Sequence, residues 1–408
     1  MKSRFYSKDQ RLVAIATGGT GGHLFPGLAL AEELGRRGYG VVLMTDERMA
    51  TIAHSSFEVG DIYVLPSATF SGRRNIMLLV AFCNILRGVW RSWKIIRQLR
   101  PAVVVGFGGY PSLPPLVAAW LRRVPFCLHE QNAVMGRVNR FMAFGASGVA
   151  AGFSEPIGFK AAIRKRLTIT GNPVRSVVQK YASSPYQVSQ GSDPFRLLVV
   201  GGSQGARLLD DVMPCACANL PLALKARMRI TQQCRPENTL RVRNAYKEAG
   251  ISAIVEDFYN DLPKRMMESH LIIARAGASC VSELAVIGRP SVLTPLAGTL
   301  DGDQVANAQY LSHVGAAWVI PQESFTPEAV STLLVELATT PGQLEKVADA
   351  ALQEGRPNAV CLLADLVEEL CGNKGRKRHS GRQDSSSQNF IEFLAIMLKY
   401  RSWRGQIS

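Results

Sequence analysis

Short, almost continuous apolar runs alternate along the chain with longer stretches in which apolar residues recur every three or four positions. Residues 12–17 (LVAIAT), 41–45 (VVLMT) and 103–105 (VVV) are runs of the first kind, continued by 126–129 and 167–170. Successive strand side chains point to opposite faces, so a run apolar at every position suits a parallel strand covered on both sides. Residues 24–37 place Leu and Ala at helical spacing and stop before Gly38, which predicts a helix between the first two strands. After 181–194 (YASSPYQVSQGSDP), a linker or long turn rich in Ser, Pro, Gly and Gln, the pattern restarts. Residues 196–200 (RLLVV) open a second series, with 226–231, 253–255, 271–274, 291–294 and 317–320. Strand and helix alternate in both halves. The predicted class is α/β, with two Rossmann-like doubly wound domains facing a cleft, at residues 1–178 and 179–371. Residues 351–370 read as a last helix, free to pack back on the first domain. Residues 372–408 read as a basic tail, disordered over 372–388 and apolar again over 390–403 (FIEFLAIMLKYRSW).

Composition narrows the class. The 408 residues give room for two domains, and 47% hydrophobic residues fit folded cores. Lys and Arg number 47 against 32 Asp and Glu, a net charge of +15. That excess points to an acidic partner: nucleic acid, anionic lipid or a phosphorylated substrate. The eight cysteines (83, 127, 215, 217, 234, 280, 361 and 371) include no CxxC pair. Neither a zinc ribbon nor a disulfide scaffold is indicated, and a reducing cytoplasm is favoured. Residues 1–11 are polar and lack the apolar stretch of a signal peptide. Residues 102–121 are uncharged and of membrane-spanning length. Their Gly106, Gly108, Gly109, Pro111, Pro114 and Pro115 suit a strand, a glycine turn and a helix instead.

Glycine turns carry the chemistry. Gly18-Gly19-Thr20-Gly21-Gly22-His23 follows the first strand and precedes a helix. Gly106–Ser112 and Gly201–Ala206 repeat that placement. Glycines let a ligand approach backbone N–H groups closely, and a helix N-terminus adds partial positive charge, so each turn can hold a phosphate. None matches the dinucleotide pattern GxGxxG, and no GK[ST] follows, so neither a dehydrogenase nor a P-loop is indicated. A fourth segment, 275–284 (RAGASCVSEL), starts a helix near Ser279, a plausible N-cap. Its Glu283 carboxylate can accept two hydrogen bonds from vicinal ribose hydroxyls, or can merely complement the helix dipole.

Taken in order, GGTGGHLFPGLALAEEL (18–34), GFGGYPS (106–112), HEQNAVMGRVNR (129–140), GNPVR (171–175) and GGSQGAR (201–207) resemble one enzyme family. So do DFYNDL (257–262), ARAGASCVSELAVIGRPSVLTPL (274–296) and DQVANAQYL (303–311). This family is the MurG-type UDP-N-acetylglucosamine transferases of bacterial cell-wall synthesis, GT-B glycosyltransferases. The resemblance implies transfer of GlcNAc from UDP-GlcNAc to the C4 hydroxyl of the MurNAc sugar of lipid I. Lipid II and UDP are the products, the anomeric carbon inverts, and no cofactor or metal is called for. It implies that Ser203 meets the diphosphate, that Gln204 beside it binds substrate and that Tyr259 places uracil through its backbone. The nucleotide loop is Ala278, Ser279, Cys280, Val281, Ser282 and Glu283, with Glu283 on the ribose. Thr20, Gly21, Gly22, Tyr110, Asn132 and Arg175 complete the binding set. Asp303, Gln304 and Asn307 lie near the sugar hydroxyls. Family members commonly carry Gln or His where Asp303 stands, and a carboxylate can accept from a hydroxyl but cannot donate. Asp301-Gly302-Asp303 has the DxD form of metal-dependent transferases but reads as sugar contacts. His23, at a helix start with a pKa class suited to neutral pH, is the first candidate base, with His129 and Glu130 as rivals.

Residues 71–100 mix Arg73, Arg74, Arg87, Arg91, Lys94, Arg97 and Arg100 with Ile76, Met77, Leu78, Leu79, Val80, Phe82, Trp90 and Trp93. An apolar patch ringed by cations and Trp is the composition of a surface that lies on anionic lipid, or of an ordinary amphipathic helix. With the family's lipid-linked acceptor, it implies a peripheral enzyme on the cytoplasmic face of the bacterial inner membrane. Residues 372–408 carry eight cations and two anions, +6 of the +15, and 390–403 offers a second contact. Three alternatives stay open: a UDP-GlcNAc 2-epimerase or a transferase with a soluble acceptor, a nucleic-acid binder, and a dehydrogenase. The chain shows no recognition motif or aromatic-studded basic platform for nucleic acid.

Overall fold

The computed structural model describes residues 7, 10–67, 75–182, 184–202, 205–299 and 301–372. The first sheet contains β1 (Leu12–Ala16), β2 (Gly40–Thr45), β3 (Gly60–Val64), β4 (Val103–Gly106), β5 (Phe126–Glu130), β6 (Gly148–Ala151) and β7 (Leu167–Ile169). Every pairing is parallel, and the order is β3-β2-β1-β4-β5-β6-β7. The second sheet contains β8 (Phe195–Val200), β9 (Met228–Gln233), β10 (Ser252–Glu256), β11 (Leu271–Ala274), β12 (Ser291–Leu293) and β13 (Trp318–Val319). It too is parallel, in the order β10-β9-β8-β11-β12-β13. Five of the helices carry or support the site: α1 (Gly21–Arg36), α2 (Asn75–Leu99), α3 (Ala278–Ile287), α4 (Asp303–His313) and α5 (Ala359–Gly372).

Strand order reverses between β1 and β4 in the first sheet and between β8 and β11 in the second. Ligands of open parallel sheets bind beyond the carboxyl ends of the strands at such reversals. The four glycine segments follow β1, β4, β8 and β11, so sequence and topology mark the same two places.

Each sheet is covered on both faces. One face of the first packs Leu12, Ala14, Val42, Val104, Phe126 and Leu128 under Leu116, Val117 and the inner side of α2. The other packs Val13, Ile15, Val41, Val103 and Val105 under α1 and α5. The second sheet has its own pair of cores. The last helix crosses back to the first domain: Leu363, Ala364, Val367 and Leu370 are buried among first-sheet residues. Arg37 fixes α5 to α1, donating to Asp365 Oδ1 at 2.6 Å and Glu368 Oε2 at 2.7 Å. The chain leaves the first sheet after β7, so that Val174 and Val178 already pack in a core of the second sheet, and it returns at 355–358, where Arg356 lies against Gly171. A side chain on Gly171 (φ +80°) would come within 2.8 Å of Arg356 Cβ.

The sequence pattern overlooked β3 and β6. The former is a half-exposed edge strand, and the latter (GVAA) is too short and small to stand out as a β-branched run. The strand expected at 226–231 starts at Met228, because Leu222–Arg227 is helical. Residues 102–121 form β4, a glycine turn and the helix Leu113–Leu121. Among the described residues, no helix is long and apolar enough to cross a membrane. The expectations for 373–408 lie outside the described residues.

Candidate active site

The first glycine turn is tight for a stated reason. Gly18 and Gly19 have φ of +153° and +84°, and a side chain on Gly18 would sit 2.6 Å from Asp46 Oδ1. That oxygen instead accepts from the Gly19 N–H at 3.2 Å. Thr20 is the N-cap residue of α1, and Gly21, Gly22 and His23 form its first turn. Thr17 Oγ1 donates to the His23 carbonyl at 2.6 Å, which ties the helix start to the end of β1. His23 faces a cleft of about 1170 Å³, walled by Thr20, Tyr110, Glu130, Asn132, Arg137 and Asp303 among others. Gly109 (φ +72°) makes room for the imidazole: a Cβ there would press to 3.1 Å of His23 Cδ2.

Neither rival base is free to act. His129 is wholly buried, packs against Phe107 and has both ring nitrogens engaged. Nε2 lies 3.0 Å from the Gly171 carbonyl oxygen, and Nδ1 lies 3.0 Å from Gln131 Nε2. Burial holds it neutral, with its pKa pushed down to about 4. Glu130, 1% exposed, accepts from the N–H groups of Asn132 and Gly136 and from the side-chain amides of Asn132 and Asn139. Burial raises its carboxyl pKa, while the donors of Gly136, Asn139 and Asn132 pull it down. It organises the 130–139 loop, and its lone pairs are taken.

On the donor side, Gly277 rather than Ser279 is the N-cap of α3. The amides of Ala278, Ser279 and Cys280 belong to the first turn, which has no partner within the helix. Ser279 Oγ is buried there without a protein partner. Ala278 and Val281 are buried, so they can meet a ligand only through the backbone. Ser282 Oγ accepts from Asn172 Nδ2 at 2.8 Å and donates to the Ala278 carbonyl at 2.7 Å. Glu283 differs from expectation: both carboxylate oxygens already hold Arg175, through Nε at 2.8 Å and Nη2 at 2.9 Å. A ribose there would have to share them. Tyr259 buries its ring under Arg265 and hydrogen-bonds through its hydroxyl to the Ile254 carbonyl, leaving its backbone for any base contact. Ser203 and Gln204 lie outside the described residues. The flanking Gly202 and Gly205 have φ of +80° and +66°.

The expected sugar contacts divide. Asp303 lines the cleft. Gln304 Oε1 accepts from Leu296 N at 3.0 Å and so folds into its own loop. Asn307 is wholly buried and joins the domains: Oδ1 accepts from Ala133 N at 2.8 Å, and Nδ2 donates to Asn132 Oδ1 and the Ala276 carbonyl. No polar hydrogen of Asn307 is left for a sugar. Asp301 pairs with Arg137 at 3.0 Å. Among the described residues, no cluster of three His, Cys, Asp or Glu groups could hold a metal.

Sequence reading passed over Gln131, Asn172, Arg137 and Asp46. The available signal was position: Gln131 and Asp46 are polar residues just past the ends of apolar strands, β5 and β2, at the rim where ligands bind.

On α2, Val80 and Trp90 are exposed, with Arg87, Arg91, Lys94 and Arg97 on the same outer surface. Lys94 Nζ lies 3.5 Å from the centre of the Trp90 ring. Trp93 departs from expectation: it packs against the first core, with Arg97 and Arg122 over its ring. Arg73, Arg74 and the side chains of Ile76, Met77, Leu78, Leu79 and Phe82 lie outside what the structure describes.

The family model "Glycosyltransferase family 28 N-terminal domain" matches residues 13–151, and "Glycosyltransferase family 28 C-terminal domain" matches 196–363. A curated UDP-N-acetylglucosamine–N-acetylmuramyl-(pentapeptide) pyrophosphoryl-undecaprenol N-acetylglucosamine transferase from Methylobacterium sp. (strain 4-46) is 50% identical over 361 residues, 88% of this chain and 97% of that one. The crystal structure of Acinetobacter baumannii MurG superposes with a TM-score of 0.72 at 29% identity, covering 88% of this chain and 99% of that one. A UDP-N-acetylglucosamine 2-epimerase, TM-score 0.61 at 14% identity over 92% of this chain and all of that one, shares the fold. Two parallel Rossmann-like sheets, with glycine turns following the strands at each switch point and with ordered motifs matching along both, place this chain in glycosyltransferase family 28, among the MurG-type transferases.

Proposed function

We propose that the protein transfers GlcNAc from UDP-GlcNAc to the C4 hydroxyl of the MurNAc sugar of lipid I, releasing UDP and lipid II, with His23 as the base. The observation that carries the role of His23 is its place: the one imidazole on the cleft wall among the described residues, at the start of α1. In a single displacement, His23 Nε2 takes the acceptor proton as the hydroxyl oxygen bonds to the anomeric carbon. The bond from that carbon to the UDP oxygen breaks, its electron pair stays on the diphosphate, and the centre inverts. The amides at the start of α3 and Ser279 Oγ, buried there without a protein partner, would meet the charge that develops. The acceptor belongs with the 1–178 domain and the donor with 179–371.

The outer surface of α2 fits a peripheral site on an anionic membrane. Val80, Ala81 and Asn84 of the same helix line the cleft, so a lipid-linked acceptor held at that surface has a short path inward. The test of the activity is transfer of labelled GlcNAc to a lipid I analogue. General-base help amounts to about 10²–10⁴-fold. His23→Ala should lower kcat within that range and leave the KM for UDP-GlcNAc within about threefold. A raised KM at unchanged kcat would make His23 a binding residue.

A further inference from the structure

The hydrogen bonds behind His23 leave little freedom, and they start from two backbone carbonyls. A carbonyl oxygen can only accept. Gln131 has one end of its amide 3.0 Å from the His129 carbonyl oxygen, so that end is the NH2 group, and Oε1 is the atom turned to His23. Oε1 can also only accept, and it lies 2.9 Å from His23 Nδ1. In this arrangement Nδ1 carries the proton, and the lone pair of the neutral ring sits on Nε2.

The second carbonyl leads to the same answer from the other end. The Gly171 oxygen accepts from His129 Nε2, so the lone pair of that neutral ring is on Nδ1 and receives the other proton of Gln131 Nε2. The Gln131 amide is 1% exposed, which keeps water from competing for these bonds. The carbonyl of residue 171, His129, Gln131 and His23 thus form one directed chain in which each donor has one acceptor waiting.

We infer that Gln131 is a positioning residue for the reaction. Through its side-chain oxygen it holds His23 in the Nδ1–H tautomer, with Nε2 unprotonated toward the cleft. This rests on the reading of His23 as the base and goes beyond it by naming what sets the tautomer. A neutral imidazole without such an acceptor divides between tautomers, and the Nε2–H form cannot take the acceptor proton at that atom.

Two variants test it. Gln131→Met keeps the length of the side chain and removes its bonds to both rings. Gln131→Glu keeps an oxygen opposite His23 Nδ1 but turns its other oxygen to the His129 carbonyl, where only a donor fits. Nitrogen NMR of the His23 ring, at a pH where it is neutral, should show an Nδ1–H ring in the native protein and a mixed or reversed pattern in Gln131→Met. Gln131→Met should forfeit part of the general-base factor, about 10- to 100-fold in kcat, at a UDP-GlcNAc KM within about threefold. Gln131→Glu should lower kcat as well, since it lacks the donor that holds the side chain in register. UDP binding equal to that of the native protein checks that each variant is folded. An unchanged tautomer or an unchanged kcat in Gln131→Met overturns the inference, as does a fully active Gln131→Glu. The base assignment stands apart: an active His23→Ala overturns that reading, whereas an inactive His23→Ala beside a fully active Gln131→Met overturns only the role of Gln131.

Discussion

Replacing Asn307 by Leu separates two roles for this residue, because the volume is kept while three hydrogen bonds vanish. Ala133 N–H and Asn132 Oδ1, both of the first domain, lose their partner across the contact between the domains. An unsatisfied buried group costs about 1–3 kcal/mol, so together the two cost about 2–6 kcal/mol in the closed arrangement. Opening the domains lets water satisfy both, so the cost falls on the closed state rather than on either fold. At 1.4 kcal/mol per tenfold, the lower figure moves the closed-to-open ratio about 30-fold. The effect should therefore appear with no ligand present. Small-angle scattering should report a more extended Asn307→Leu protein, and hydrogen exchange should rise around residues 132–133 and 276. A sugar contact predicts the contrary pattern. If the ligand-free protein scatters and exchanges like the native one while the UDP-GlcNAc KM rises tenfold, the bridging role is wrong.

Two further outcomes follow from the geometry. Glu283→Ala should raise the UDP-GlcNAc KM about tenfold or more, since hydrogen bonds to charged groups contribute about 1.5–3 kcal/mol; a KM within twofold, with melting unchanged, would assign Glu283 to Arg175 alone. His129 protonates at about 4 when folded, and near 6.5 as a free side chain, so the unfolded chain binds the extra proton between those values. The stability from keeping this ring neutral is complete above about pH 6.5 and is lost as pH falls toward 4, about 2 kcal/mol by pH 5. Urea unfolding at pH 7.5 and pH 5, with and without His129→Gln, measures it; an identical loss in both proteins refutes the assignment.

The fold was legible because apolar runs and glycine turns answer to local rules. A strand covered on both faces must be apolar throughout, and a chain turning sharply under a ligand needs glycine, so β1, β2, β4, β8 and β11 and their turns were readable. The pattern failed where burial was partial, as in β3, or where the residues were small, as in β6. The site was legible as a set of segments but not as a set of pairings. Residues 108 positions apart put Arg175 on Glu283, and 175 positions separate Asn132 from Asn307. Local spacing carries no trace of such contacts. Gln131 was hidden for another reason: its role depends on which end of an amide faces which ring, and only the two carbonyls settle that.

Gly171 stands at a junction. Its missing side chain lets the chain just after β7 lie against Arg356 and Ala359, where the chain comes back to the first domain. Its carbonyl is also the first link of the chain that ends on His23, through His129 and Gln131. The joint between the domains and the support behind the imidazole therefore share one peptide unit, so a substitution at residue 171 bears on both at once.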